Sequence, residues 1–268
     1  MNWSTQLCLL TGASGGIGQA IARTLAEAGV QLILQGRNAQ ALQTLADSLP
    51  GTHQIVVADI SSSQGRDELL KELARFPNIS MLINNAGIAP FGELQSMSDE
   101  DLEQTIQTNL LAPMALIRAL LPTMKKHSEA YIVNVGSTFG SIGFACNSLY
   151  CASKFGLRGF TEALQRELAG SSVKVFYLAP RATQTAINSD DVVAMNKALG
   201  NQVDSPELVA QALKTQLQQG ERRKFIGFPE KLFVRINGAF PALVDNALVK
   251  KLPIIKKFAA QHAKEILV

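Results

Sequence analysis

Strand-length apolar runs alternate with amphipathic stretches from residue 7 to about residue 227, and no other feature of the 268-residue chain restricts its fold as much. Runs that are apolar throughout, rather than at every second position, suit strands buried on both faces, which occur in parallel sheets covered by helices. Leu7–Thr11, Val30–Gln35, Gln54–Ala58, Met81–Asn84, Tyr131–Gly136, Val173–Leu178 and Lys224–Gly227 are the seven strands this pattern predicts. Between them Ile17, Ile21, Leu25 and Ala28 recur at helical spacing, and Ser205-Pro206-Glu207 sets a capping residue ahead of a proline at the first helical position. No repeat, low-complexity tract or linker divides the chain. The expectation is an α/β fold: one doubly wound domain over residues 1–227, with a seven-stranded parallel sheet flanked by helices, and a helical extension over residues 228–268.

Composition removes several classes. Hydrophobic residues make up 47% and charged residues 18%, and no apolar run approaches the roughly 18 residues that cross a bilayer, so a globular chain is expected. Leu7–Leu10 is too short for a signal-peptide core and lacks a basic flank, which points to the cytoplasm. Cys8, Cys146 and Cys151 are odd in number and lack metal-ligand spacing, so they read as ordinary buried side chains and no metal is expected. Charge is uneven: residues 221–268 hold 10 Lys or Arg against 4 Asp or Glu, the rest 15 against 18. A basic excess confined to a Phe- and Leu-bearing tail suits an acidic protein or membrane surface rather than nucleic acid.

Thr11-Gly12-Ala13-Ser14-Gly15-Gly16-Ile17-Gly18 lies between the first strand and the first helix. Glycines there permit a tight turn and let backbone N–H groups approach a pyrophosphate at the helix N-terminus; close strand-to-helix packing is the other use of such a loop. The second strand ends Gln35-Gly36-Arg37-Asn38, without the carboxylate that a ribose 2′-hydroxyl would require. Arg37 offers a planar fork of donors to a 2′-phosphate, so NADP(H) is favoured over NAD(H) unless Arg37 is simply a solvated arginine. Asp59, after the third strand, is placed to accept from an adenine amino group or to cap the helix that follows.

Tyr150 and Lys154 stand four apart in a helical stretch, Leu149–Ala169, and so share a face. A lysine cation together with an oxidised nicotinamide ring would favour the phenolate, although such a pair also occurs as an exposed helical contact. Asn109 lies in a helix opened by Ser98-Asp99-Glu100-Asp101, and Pro113 four residues later has no N–H for the Asn109 carbonyl. A kink is expected, either structural or holding a water beside the site.

Thr-Gly-x-x-x-Gly-x-Gly at 11–18, Asn84-Asn85-Ala86-Gly87, Ser137 and Tyr150-x-x-x-Lys154, in this order and with 13 residues from Ser137 to Tyr150, resemble the short-chain dehydrogenase/reductase family over residues 5 to about 227. The resemblance implies a Rossmann-type oxidoreductase that moves hydride between NAD(P)H and a carbonyl or alcohol. It makes Tyr150 the general acid in reduction and Ser137 a donor to the carbonyl oxygen. Lys154 would lower the tyrosine pKa and hold the nicotinamide ribose, and Asn109 would anchor a proton-relaying water. It also places Gly12, Ser14, Gly16, Ile17, Gly18, Arg37, Asn38, Asp59, Ile60, Asn85, Ala86, Gly87, Tyr150, Lys154, Pro180, Thr183 and Thr185 around the cofactor, and implies a homodimer or homotetramer.

One departure is Pro180-Arg181, where the family has Pro-Gly; Arg181 either touches an acidic substrate group or points to solvent, and Thr185 keeps the family's threonine. Phe91, Phe139, Ile142, Phe144 and Ile187 are expected at an apolar substrate pocket, under a lid at about residues 186–200 that includes Val192 and Met195. A hydrophobic carbonyl or alcohol follows, with a 3-oxoacyl thioester first and a lipidic ketone next. A non-catalytic dinucleotide sensor would be expected to lack the Tyr or the Lys, and an epimerase to carry a longer C-terminal part. The tail mixes apolar residues with Lys231, Arg235, Lys250, Lys251, Lys256 and Lys257. It is read as either an arm packed on the body or another subunit, or a segment at the inner, anionic face of a membrane.

Overall fold

The computed structural model describes residues 2–266, with side chains described for residues 2–262. Seven parallel strands, β1 (Leu7–Leu10), β2 (Gln31–Gly36), β3 (Gln54–Val57), β4 (Met81–Asn84), β5 (Ala130–Val135), β6 (Val173–Ala179) and β7 (Arg223–Phe225), form one sheet in the order β3-β2-β1-β4-β5-β6-β7. Each lies within a residue or two of its sequence-derived position. The runs are apolar throughout because both faces are buried. Along β1, Cys8 and Leu10 enter one core cluster and Leu9 the other, and Leu32, Leu34 and Ile33 divide in the same way along β2.

Helices α1 (Gly16–Glu27), α2 (Ala39–Ser48) and α8 (Pro206–Gln219) contribute to the first cluster, and α3 (Ser63–Leu73), α5 (Ala112–Met124) and α6 (Ser148–Glu167) to the second. The chain turns from one side of the sheet to the other between β1 and β4, and a crevice at the carboxyl ends of such strands is where ligands of these folds sit. Ser205 caps α8 by accepting from the Leu208 N–H, and Pro206 stands at its first position, as the sequence indicated.

α4 (Asp99–Ile106) opens with the reciprocal Ser98–Asp101 cap and runs into a π-helical turn, Gln107–Leu111, before α5. The irregularity expected from Pro113 is therefore a wider turn centred on the buried Asn109.

Beyond β7 the chain forms α9 (Glu230–Ala239), α10 (Pro241–Val249) and α11 (Leu252–Ile266). Val234 and Val244 bury against Ile142, while Ile255 and Ala259 bury against Phe91, Phe144 and Met195. α11 lies on α7 (Asp190–Ala198), with His262 Nδ1 3.2 Å from the Asp191 carboxylate. Of the two readings of the tail, the arm packed on its own body is present. Its other side leaves Phe228, Leu232, Phe233, Phe240, Leu243 and Val249 exposed.

Candidate active site

Thr11 leaves the strand to serve the loop beyond β4: its hydroxyl accepts from the Asn85 and Ala86 N–H groups at 3.0 and 3.1 Å. Asn85 Nδ2 returns two bonds, each 3.1 Å, to the Thr11 and Gly12 carbonyls. A Cβ on Gly12 would stand 2.7 Å from Ala86 Cα, and one on Gly18 2.2 Å from the Gly12 carbonyl oxygen. Close packing therefore accounts for these two glycines as fully as ligand approach does. Gln35, which sequence reasoning missed, joins three strand ends, accepting from Gly12 N–H at 3.3 Å and donating to the Ala58 carbonyl at 2.8 Å.

The result is a groove of about 270 Å³. Gly12, Ser14, Gly16, Ile17, Gly18, Arg37, Asp59, Ile60, Asn85, Ala86, Gly87 and Thr185 line it. Asn38 does not: its Oδ1 accepts from Ala41 N–H at 3.0 Å and caps α2, the ordinary use of an asparagine before a helix. Arg37 is exposed and makes no hydrogen bond or ion pair among the described residues, so its guanidinium is open to a ligand. Burial works to raise the Asp59 pKa, yet bonds from the Ser61 N–H and hydroxyl, at 3.0 and 2.7 Å, and the Arg37 charge hold it below its ordinary value. Ser62, not Asp59, caps α3. A glycine cradle at the start of α1, no carboxylate at the end of β2 and an unpaired Arg37 fit a dinucleotide carrying a 2′-phosphate.

A second cavity, about 130 Å³, adjoins the first at Asn85, Gly87, Thr185 and Ile187, and contains Ser137, Tyr150, Lys154, Pro180 and Thr183. The β5 end delivers Ser137, whose Oγ accepts from the Phe139 N–H at 3.1 Å. Beneath it, the Tyr177 hydroxyl donates to the Ser137 carbonyl at 3.3 Å and accepts from its N–H at 3.4 Å. A Cβ on Gly136 or Gly140 would lie 2.1 or 2.4 Å from Tyr177 ring or hydroxyl atoms, so only glycine fits beside that ring. Asn109 holds the Ile88 peptide on both sides, donating to its carbonyl at 2.8 Å and accepting from its N–H at 2.9 Å, and also donates to Ser153 at 3.0 Å.

Lys154 is buried, donates to the Val135 carbonyl at 3.0 Å, and is pushed down to about 8 by desolvation. Burial pushes the Tyr150 phenol up to about 12, with the Ser137 hydroxyl pulling the other way. At the phenol burial outweighs the Ser137 hydrogen bond, and the Lys154 ammonium stands 5.6 Å from the Tyr150 ring centroid.

Phe139 and Ile187 line the second cavity as expected, Phe139 lying edge-on to Tyr150 at 6.5 Å between centroids. Phe91, Ile142 and Phe144 do not, because the tail buries them. Arg181 lines the second cavity and does not point to solvent. It donates to Asp204 at 2.7 and 3.0 Å and to Glu230 at 3.0 Å, with only 11% of its side chain exposed. The Asp204 N–H donates to the Ala182 carbonyl and the Asp204 carbonyl accepts from the Gln184 N–H, both at 2.9 Å, across a Thr183–Asp204 bridge, so Arg181 fastens together the two ends of the segment carrying α7. The cavity also contains Asn147, Asn188 and Asn196, which sequence reasoning missed.

A family model described as short chain dehydrogenase matches residues 6–195. The chain is 35% identical to a 3-oxoacyl-[acyl-carrier-protein] reductase of Bos taurus over 77% of its own length and 89% of that protein. It is 29% identical to the oxidoreductase YxnA of Bacillus subtilis, over 97% of its own length and 74% of that protein. In structure it resembles a short-chain dehydrogenase from Sphingobium yanoikuyae in complex with NADPH, with a TM-score of 0.77 and 26% identity over 90% of this chain and 95% of that one.

Proposed function

Because this chain belongs to the short-chain dehydrogenase/reductase family and is an NAD(P)-dependent oxidoreductase, we propose that it interconverts a hydrophobic carbonyl compound and its alcohol, with NADP(H) preferred over NAD(H). We assign the catalytic domain to residues 1–227 and a pocket-backing extension to residues 228–268. The observation that carries the reading is the meeting of Ser137, Tyr150 and Lys154 in one cavity that opens into the glycine-lined groove. Substrate classes in keeping with Phe139, Val192 and Met195 are a 3-oxoacyl thioester, on which the Bos taurus relative is named to act, and a lipidic ketone.

When bound, the dinucleotide supplies or accepts the hydride. Ser137 Oγ–H donates to the carbonyl oxygen, and Tyr150 Oη–H delivers the proton that completes reduction. A phenol held near 12 stays protonated at neutral pH, as a proton donor must. Lys154 keeps a cation 5.6 Å from the Tyr150 ring centroid, and Asn109 fixes the Ile88 peptide. Arg37 holds the 2′-phosphate.

Exposed Leu102, Ile106, Leu111, Met114 and Phe155 favour association with a second copy of the chain. Exposed Phe233, Phe240 and Leu243 beside Lys231 and Arg235 favour contact with the inner, anionic face of a membrane by a cytoplasmic enzyme. The deciding experiment titrates the protein with NADPH and NADH by nucleotide fluorescence and then follows NADPH oxidation on hydrophobic ketones. Tighter NADH binding, or no oxidation with any ketone, refutes the proposal.

A further inference from the structure

Asn147 is the residue from which α6 starts, and an asparagine there ordinarily turns its side-chain oxygen onto the opening N–H groups of the helix. Five other helix starts do so: Asn38, Ser62, Ser98, Ser189 and Ser205 each accept such a bond. Asn147 makes no cap bond, and its φ and ψ, −127° and 26°, lie outside the extended conformation those five share. The residue is 8% exposed, and its amide has no hydrogen-bond partner among the described residues. It lines the same cavity as Ser137 and Tyr150. The other two asparagines there are engaged: Asn188 donates to the Thr183 carbonyl at 2.8 Å, and Asn196 accepts from Asn201 at 3.0 Å.

The amide thus faces the cavity and not a protein partner, and a ligand that fills the cavity can take up the bond the amide does not make within the protein. Asn147 and Tyr150 are three residues apart and therefore neighbours on one helix face. The uncapped start of α6 is the positive end of its dipole, which favours an oxygen acceptor beside the amide.

We propose, resting on the carbonyl-reducing reading above, that Asn147 is a specificity-determining residue. Its amide donates to a second oxygen of the substrate, so the site selects β-oxo esters and thioesters over isolated ketones. The hydride and Tyr150 proton steps are unchanged; the second carbonyl is held, not reduced.

The test compares ethyl 3-oxohexanoate with 4-nonanone, the same chain with the ester replaced by two methylenes. An ester activates the neighbouring ketone, so a preference of the unaltered enzyme is not diagnostic; the effect of Asn147→Leu on each compound is. Loss of one buried hydrogen bond corresponds to about ten- to a hundredfold. The kcat/KM of Asn147→Leu for the oxo ester is expected to fall by that factor while the value for nonanone stays within about threefold. Calorimetric titration of the enzyme–NADP+ complex with both compounds reads the same selectivity without turnover, and Asn147→Ala replaces the leucine variant if that one melts early. An equal fall on both compounds, or undiminished binding of the oxo ester, overturns the proposal. Reduction of neither compound would instead refute the functional reading, and the titration would still decide the role of Asn147.

Discussion

Replacing Arg181 by alanine tests how the lid is fastened. The substitution removes both bonds to Asp204, whose side chain is 5% exposed, and the one to Glu230, which at 25% exposure is partly solvated. Asp204 suffers most, because it is left charged in a place that water barely reaches. Breaking a buried pair by deleting one partner destabilises by about 3–5 kcal/mol, and the partial exposure of Glu230 favours the lower end. In a domain of this size about 3 kcal/mol lowers Tm by roughly 6–12 °C. The loss is local in origin, so Asp204→Asn in the Arg181→Ala background should restore part of it by removing the stranded charge. Because the pair joins the two ends of the α7 segment, KM for the ketone should rise more than Kd for NADPH. Differential scanning calorimetry of the two single variants and the double variant measures the first effect, and steady-state kinetics the second. A Tm within about 2 °C of the unaltered protein, or a double variant less stable than Arg181→Ala, would refute the reasoning.

Tyr150→Phe should lower kcat by about 10²- to 10⁴-fold with NADPH binding intact, since only the proton donor is removed; titration and turnover on one sample check both. Arg37→Ala should weaken NADPH by about ten- to a hundredfold and leave NADH nearly unaffected, and equal weakening of the two would contradict the assigned phosphate contact. Lys154 titrates near 8 when folded and near 10.5 when unfolded, so between those values the unfolded chain binds more protons and stability gains from rising pH. Urea unfolding at pH 8, 9 and 10 should show this gain relative to Lys154→Met, and identical slopes would disprove it. Sedimentation with anionic liposomes should be strong at low salt, weak at high salt and absent in Phe233→Glu/Phe240→Glu; retention by that variant would exclude the tail as the contact.

The sheet was legible because burial on both faces writes an uninterrupted apolar run, and the Tyr150–Lys154 pair because helical spacing places both on one face. What escaped depended on partners far along the chain. Arg181 reads as either a contact to an acidic substrate group or a solvated side chain until Asp204, 23 residues later, is seen against it. Phe91, Ile142 and Phe144 are apolar residues near a site, and an apolar side chain goes to whichever surface covers it, here the tail. Asn38 and Asn147 both precede helices, and spacing does not tell a capping asparagine from one turned away, since the difference lies in backbone angles. The π turn was legible as an irregularity from Pro113, but not its form. Tyr177 left no local signal; Gly136 and Gly140, two glycines beside a site serine, are the trace its ring leaves.

The packing of α11 on α7 also orders the birth of the two cavities. Every residue lining the dinucleotide groove lies at or before position 187, whereas Met195 and Val192 of the neighbouring pocket are backed by Ile255, Phe258 and Ala259. During synthesis, which proceeds from the N-terminus and lets earlier parts fold first, the groove's residues are all translated before the substrate pocket has its backing. A chain grown to the end of β7 thus has every residue of the groove, and the α8 that packs on α1, while Val192 and Met195 still lack the side chains that back them.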